Sequence, residues 1–543
     1  MPAAWKNRLY FGDNLQILCK EIPSESIDLV YLDPPFNSNA SYNVLFKEKS
    51  GEQSAAQIRA FDDTWHWTLE SASVYQDVVQ SGPRKLADLL QAMASFLGHN
   101  DMMAYLVMMA VRLVELHRVL KVTGSIYLHC DSTASHYLRL VMDAIFGVEN
   151  YRNEIIWKRA SAHSDAKQGA KHFGRITDTL LFYGRSERTT FNPLYRPYDQ
   201  SYLDRDYRRV DADGRRYRID NLQGPGGAEK GNPSYEVMGV TRYWRYSKEK
   251  MEQLIRDGRV IQTRPGAVPQ YKRYLDEMPG IPAQSLWDDL PSINNRSKEL
   301  LGYPTQKPEG LLERVIQASS NEGDVVLDPF CGCGTAVAVA EHLKRKWIGI
   351  DVTYLAINLV QRRLMDNFGS NLSPYEIIGA PTDVAGAEEL ARRDPYQFEW
   401  WAVDLVNARP AKDHKKGADS GVDGYINFFE EHGGDAKKLI VQVKAGHTGV
   451  HHVRDLKGTM EREKAVIGVL ITLETPTKPM IQEAASAGFY QPEHLSGKYP
   501  RLQLFTIEEL LVEQKHISIP QGANVATFQK AERKTKHEQP GLF

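Results

Sequence analysis

Three groups of residues have types and spacings that can do chemistry. The first is Asp33–Phe36, which reads Asp-Pro-Pro-Phe. The Asp33 carboxylate and the Pro34 carbonyl make a pair of acceptors able to take both N–H bonds of an amine, and a charged acceptor makes the stronger hydrogen bond. Pro34 and Pro35 stiffen the loop, and Phe36 offers a flat face for stacking. The second is Asp328–Thr335, DPFCGCGT. Its glycines let the backbone turn tightly and come close to a ligand. Asp351 closes the next apolar run, where an acid in dinucleotide-type folds binds ribose hydroxyls. No GxxxxGK[ST] lysine accompanies the loop, which disfavours a triphosphate. The third is Asp423, after a glycine turn, with Gln442 and Lys444 two apart on one strand and so on one face. Glu399 lies upstream on a helix. The first two groups also have plain readings: a strand-ending turn and a common two-glycine loop. His447, His451 and His452 have no fixed acid or cysteine partner and read as surface or phosphate-contacting residues.

These residues need elements to hold them. Ser26–Asp33 is a short apolar run ending in an acid, which predicts a buried strand. Asp101–Lys121 has helical spacing, Ser125–Cys130 reads as a strand and Ser135–Phe146 as a helix. Later, Asp324–Asp328, Thr335–Lys344, Trp347–Asp351 and Tyr354–Asn367 repeat strand, helix, strand, helix. Such alternation predicts an α/β fold with a doubly wound parallel sheet covered on both faces. Residues 1–184 and 298–371 form this domain, interrupted by a loop-rich insert at 185–297 with many Tyr, Arg, Gly and Pro. A linker is expected at 372–394. A smaller α/β domain at 395–515 starts with a helix, Phe398–Asn407, and has strands at Gly424–Phe429 and Leu439–Lys444. A polar tail, 516–543, is expected to be loose.

DPFCGCGT resembles the FxGxG cofactor motif of amino-group DNA methyltransferases. The resemblance implies a Rossmann-like methyltransferase fold and S-adenosylmethionine as cofactor. Phe330, Gly332 and Gly334 would line its methionine part, with Asp328 and Thr335 at the ends of the loop, and Asp351 would hold the ribose. Tyr303–Pro308 (YPTQKP) resembles the segment preceding this motif, which makes Thr305 and Lys307 candidates for the cofactor carboxylate. A surface lysine at a helix start is the plain reading of Lys307. Asp13, in FGDNL, resembles the acid placed near the adenine ring. The order is catalytic motif, variable region, cofactor motif, and it resembles the beta group over about residues 5–370. The implied reaction methylates an exocyclic amine of a base flipped out of duplex DNA. In that group an aspartate at the first motif position goes with adenine N6 and a serine with cytosine N4. Asp33 therefore favours adenine, with cytosine N4 as the alternative.

The same resemblance puts sequence reading in the insert. Arg208, Arg209, Arg215, Arg216 and Arg218 are its densest basic cluster, suited to phosphate or guanine contacts. Tyr207, Tyr217, Tyr243 and Trp244 are candidates to stack near the flipped base. The third group is similar to the Mrr-like branch of PD-(D/E)xK nucleases, where Gln replaces the usual acid. It implies that Asp423, Gln442 and the Val443 carbonyl hold Mg2+, that Lys444 positions water, and that Glu399 assists. A neutral Gln weakens the cation site, and a DNA-binding or docking module that keeps the fold is the alternative. Double-stranded DNA is the implied partner, in a restriction-modification or phage-defence setting. A restriction or defence partner subunit and a homodimer are compatible with it.

Composition bounds these readings. At 543 residues, two or three domains are expected. No apolar run approaches the ~18 residues of a membrane span, and the N-terminus lacks a signal-peptide core, so the expectation is a cytoplasmic protein without membrane association. Cys19, Cys130, Cys331 and Cys333 follow no disulfide or zinc spacing. The net charge is -2, yet residues 151–230 hold 16 Lys/Arg against 11 Asp/Glu. That local excess fits either a DNA-facing surface or an ordinary solvated one.

Overall fold

The computed structural model describes residues 5–35, 41–47, 53–62, 65–161, 171–294, 297, 299–301, 303, 305–411, 421–430, 436–520 and 524–525. The chain divides into two compact units, one of residues 1–192 and 285–534, the other of residues 193–284 with 535–543.

The first unit is built on a nine-stranded sheet. Its elements in chain order are β1 (Asn7–Phe11), α1 (Asn14–Glu21), β2 (Ile27–Leu32), α2 (Asp101–Val119), β3 (Leu120–Cys130), α3 (Ser135–Phe146), β4 (Tyr151–Lys158) and β5 (Thr177–Gly184). After the insert come β6 (Leu286–Trp287), α4 (Glu309–Ser319), β7 (Val325–Asp328), α5 (Thr335–His342), β8 (Lys346–Asp351), α6 (Tyr354–Phe368) and β9 (Tyr375–Ile378). The spatial order is β6-β4-β5-β3-β2-β7-β8-β1-β9. All pairings are parallel except the two made by β5.

Burial on both faces explains the unbroken apolar runs of these strands. Along β2, Leu29 and Tyr31 join the core under α4, α5 and α6, while Val30 and Leu32 join the core under α1, α2 and α3. The predicted doubly wound α/β sheet is therefore the observed one. The reversed β5 was not foreseen, nor was an antiparallel hairpin (Ser41–Lys47 with Gln53–Asp62) after the Asp33 loop. β3 also starts five residues before the predicted Ser125, directly after α2, and Gly124 sits inside it.

Residues 372–394 are not a linker. β9 extends the sheet beside β1, and α7 (Val384–Arg393) buries Ala387, Leu390 and Ala391 in the same core. The smaller module follows without a break: α8 (Pro395–Leu405), β10 (Arg409–Pro410), β11 (Gly424–Phe429), β12 (Lys437–Lys444), α9 (Val450–Arg462), β13 (Ile467–Thr472), α10 (Lys478–Ser486), β14 (Leu502–Thr506) and α11 (Ile507–Leu511). α8 begins three residues before the predicted Phe398 because Asp394 caps it and Pro395 suits its first turn. The sheet order is β10-β11-β12-β13-β14. The tail is not wholly loose either. Ser518 exchanges two 2.8 Å hydrogen bonds with Gln503, and Ile517 and Ile519 pack on the core.

α8 is also a bridge. Its Gln397 Oε1 accepts the Tyr354 N–H at the start of α6, at 2.8 Å. Trp400 packs with Leu355 and Leu359. Asp404 accepts from Asn358 and from Arg362, the latter at 3.2 Å. Positions 397, 400 and 404 share one helix face, as do 354, 358 and 362.

The second unit has its own small core of Leu222, Val237, Trp244 and Met251. A four-stranded antiparallel sheet runs Val260–Ile261, Gln270–Tyr274, Arg216–Asn221, Arg209–Val210. A hairpin (Ser234–Val237 with Val240–Tyr243) and a helix (Lys248–Arg256) complete it. The insert is thus more regular than its sequence suggests.

Candidate active site

Four adjacent parallel strands, β2, β7, β8 and β1, end at one edge of the sheet, where ligands of open α/β folds bind. Each end carries an acid: Asp33 after β2, Asp328 closing β7, Asp351 closing β8 and Asp13 two residues past β1. The four acids line one cavity of about 350 Å³, together with Tyr31, Pro35, Arg112, Thr305, Lys307, Phe330, Gly332 and Thr335.

The loop from Asp328 to Thr335 wraps this cavity as expected of a close-approach turn. Gly332 and Gly334 have φ of +48° and +73°. A Cβ on Gly332 would sit 3.2 Å from the Tyr303 ring, and one on Gly334 would sit 2.7 Å from Val360 Cγ2. Only glycine meets both demands. The loop is fastened from both sides. Asp351 Oδ2 accepts the Gly332 N–H at 2.9 Å, while its Oδ1 accepts the Thr353 N–H and hydroxyl at 2.8 Å each. Buried Arg363 donates to the Cys333 carbonyl, to Thr335 Oγ1 at 2.9 Å and to Glu309 at 3.0 Å. Burial pushes the Asp328 carboxyl well above the usual range, against one N–H from Phe330. Burial likewise raises Asp351, against the N–H donors that hold it.

Asp13 caps α1 through Gln16 and pairs with Arg112 at 3.0 Å. Arg112 also donates to Asn14 at 2.6 Å and lies 5.3 Å from the Trp65 ring centroid. Nothing in the spacing of the sequence pointed to Arg112, which sits within an apolar helix.

Lys307 donates to Asp33 Oδ2 and lies 3.4 Å from the Thr305 carbonyl. The sequence placed it with a cofactor carboxylate; in the structure it neutralises the acid of the first motif. Asp33 Oδ1 is buried and has no hydrogen-bond partner. Pro34 is buried and Pro35 lines the cavity. Phe36 lies outside the described residues.

Within the insert, three of the five candidate arginines are already engaged. Arg215 donates to Asp276 at 2.9 Å and Glu277 at 2.6 Å. Arg216 donates to the carbonyls of Tyr207 and Leu203 at 2.9 Å each, and Arg218 to the Tyr202 hydroxyl at 2.8 Å. Arg208 is exposed and Arg209 half-exposed. Tyr207, Tyr217 and Trp244 are buried and serve the fold, whereas Tyr243 is exposed. Arg215 looked like free basic charge because its acidic partners, Asp276 and Glu277, lie about sixty residues away.

In the smaller module, Asp423 and Gln442 come together across β11 and β12. Asp423 Oδ2 accepts the Val443 N–H at 2.7 Å, and the Gln442 amide donates to the Gly421 carbonyl. One oxygen of Asp423 and the NH2 of Gln442 are thus held by the main chain. Lys444 ends β12 half-buried, and Glu399 lies on α8, which packs on that strand. Among the described residues no three His, Cys, Asp or Glu side chains cluster to hold a metal. Nor is any described helix long and apolar enough to cross a membrane.

Comparison with known proteins adds the following. Residues 27–362 match the family model N6_N4_Mtase, DNA methylase. Residues 397–512 match NACHT-associated inactive Restriction Endonuclease 1. The Type II methyltransferase M.EcaI of Enterobacter cloacae is 31% identical over 48% of this chain and 57% of its own length. The Type III restriction-modification enzyme StyLTI Mod subunit of Salmonella typhimurium is 25% identical over 61% of this chain and 49% of its own length. The chain thus spans only about half of either relative. DNA adenine methyltransferase YhdJ of Escherichia coli K12 is 26% identical over 65% of this chain and 81% of its own length. Among solved structures, the cytosine-N4-specific PvuII DNA methyltransferase aligns with a TM-score of 0.33 at 14% identity, over 65% of this chain and 85% of that one.

Proposed function

Because the chain belongs to the N6/N4 DNA methylase family, we propose that it transfers a methyl group from S-adenosylmethionine to adenine N6 in duplex DNA. The observation that carries this reading is Asp33, which lines the same cavity as the glycine loop and whose buried Oδ1 is an acceptor without a donor. A buried unsatisfied acceptor implies a partner that arrives with the substrate. The amino group of a flipped base brings two N–H bonds. Asp33 Oδ1 takes one and the Pro34 carbonyl the other, which localises the nitrogen lone pair toward the cofactor side.

The residues at the loop fit S-adenosylmethionine. The cradle at Gly332 and Gly334 leaves no room for a Cβ, and the carboxyl groups of Asp13, Asp33, Asp328 and Asp351 line the cavity with Lys307 and Arg112. A ligand bearing sulfonium and ammonium charges suits it. Phe330, Gly332 and Gly334 line the methionine part. Asp351 takes the ribose through the lone pairs that Gly332 and Thr353 leave over. Asp13 sits near the adenine, held by Arg112. Asp328 and Thr335 brace the loop ends, and Thr305 and Lys307 reach the cofactor carboxylate, Lys307 bridging it to Asp33. The bound cofactor supplies an activated methyl group; these residues bind and orient it and exclude water.

Adenine is preferred over cytosine because Asp33 occupies the first motif position, and the name of YhdJ, a similar protein, points to the same base. The smaller module is read as a docking or DNA-binding module rather than a Mg2+-dependent nuclease. The matched family is described as inactive, and a neutral Gln442 stands where the usual acid would be. A setting in restriction-modification or phage defence, with a partner subunit, follows from the company of a methylase and such a module. Single-molecule sequencing of DNA from a host expressing the protein tests the target. Modified adenines in a fixed context are expected; modified cytosines with unmodified adenines overturn the assignment.

A further inference from the structure

A buried chain of polar side chains leads away from Asp33 across three neighbouring strands. Tyr31 and Asp33 are two apart at the end of β2 and face the same side. Tyr31 is 2% exposed and lines the cavity. Its hydroxyl lies 2.9 Å from Nδ1 of His129 on β3, a residue with no exposed surface. His129 Nε2 lies 3.4 Å from Oδ2 of Asp178 on β5, and Arg159 stands 3.1 Å from the other Asp178 oxygen. Burial alone would raise the Asp178 carboxyl, yet the hydrogen bond from His129, with the charges of Arg159 and Lys307, holds it below the usual range. Burial also keeps the Tyr31 phenol neutral, by raising it well above its ordinary value.

The polarity of this chain is determined at its far end. A carboxylate only accepts, so His129 Nε2 carries the hydrogen toward Asp178. In the neutral ring Nδ1 is then a lone pair, and Tyr31 must donate its O–H to it. The Tyr31 oxygen is left with lone pairs for the cavity. Resting on the methylation reading above, we propose that Tyr31 is a specificity-determining acceptor, with His129 and Asp178 as the positioning residues that hold it in that polarity. Together with Asp33 Oδ1 it makes a pocket that accepts a base presenting an amino group. A base carrying oxygen at that place turns lone pairs against lone pairs, the kind of mismatch that gives strong discrimination.

The chain's polarity can be reversed by one substitution. In Asp178→Asn the amide oxygen faces the positive charge of the Arg159 guanidinium, so its NH2 faces His129. Nε2 must then accept, Nδ1 must donate to Tyr31, and the Tyr31 O–H turns into the cavity against the incoming amine. The test uses the full chain, tritiated S-adenosylmethionine and unmethylated bacteriophage DNA, under single turnover. Tyr31→Phe removes one acceptor and should slow transfer about fivefold. Asp178→Asn installs an opposing donor and should slow it about 100-fold, with calorimetric cofactor affinity near the parent's. The double variant should return to about the Tyr31→Phe rate, a recovery that a merely structural role for Asp178 would not produce. Two results overturn the proposal: Asp178→Asn no slower than Tyr31→Phe, or a double variant as slow as Asp178→Asn. If Asp178→Asn fails to fold, a Tyr31→Phe variant with the parental rate overturns it alone. A parent chain that binds cofactor but methylates no DNA defeats the functional reading itself.

Discussion

Asp33→Asn is the sharpest perturbation of the site. Lys307 donates to one oxygen of Asp33 and the other is buried without a partner. An asparagine of the same shape has to choose an orientation. Its oxygen faces Lys307, because the reverse sets an N–H against an ammonium. The NH2 group then occupies the place of Oδ1 and meets an amine that needs an acceptor. The lost hydrogen bond to a charged group is worth about 1.5–3 kcal/mol, and a desolvated donor left without an acceptor costs about 1–3 kcal/mol more. At about 1.4 kcal/mol per factor of ten, transfer should slow by about 10²–10⁴. Single-turnover transfer of labelled methyl to unmethylated DNA reads the rate, and calorimetry reads cofactor affinity. A rate within tenfold of the parent refutes the role given to Oδ1. So does a loss found entirely in cofactor affinity, because Asp33 would then serve only to position Lys307.

Gly334→Ala forces a Cβ at φ +73° and 2.7 Å from Val360, and should weaken calorimetric cofactor binding at least tenfold. Asp404→Ala removes the acceptor shared by Asn358 and Arg362 and should cost about 3 kcal/mol in urea unfolding. Asp328, whose carboxyl is raised in the folded state, favours folding below the ordinary carboxyl range and loses that contribution as pH rises through its elevated value. Asp328→Asn, which keeps the acceptor for Phe330, should therefore raise the melting temperature of the cofactor-free protein at neutral pH, and the gain should vanish near pH ~4. The full chain should leave plasmid DNA uncut with Mg2+, and EDTA should not change its melting temperature.

Local chemistry was legible in the sequence wherever a few adjacent residues carry it. Asp33-Pro34-Pro35, the glycine loop and Asp351 all close predicted strands, and the structure brings them to one cavity. Partners far apart in sequence were hidden. Arg112, within an apolar helix, gave no signal in the sequence, because its partners Asp13 and Asn14 lie about a hundred residues away. Arg215 looked free because Asp276 and Glu277 lie about sixty residues on. Residues 372–394 looked like a linker because β9 is an edge strand of four half-buried residues and α7 is short. Both become ordered only by packing on a sheet formed from other parts of the chain.

The seam between α6 and α8 bears on how such a protein is assembled and inherited. Arg362 and Arg363 are consecutive, one reaching Asp404 of the smaller module and the other the glycine loop. The module is therefore not interchangeable cargo. A chimera that joins this methylase half to another C-terminal partner would leave Tyr354, Asn358 and Arg362 without Gln397 and Asp404, and Leu355 and Leu359 without Trp400. Recombination between related genes would be penalised where its crossover falls between α6 and α8.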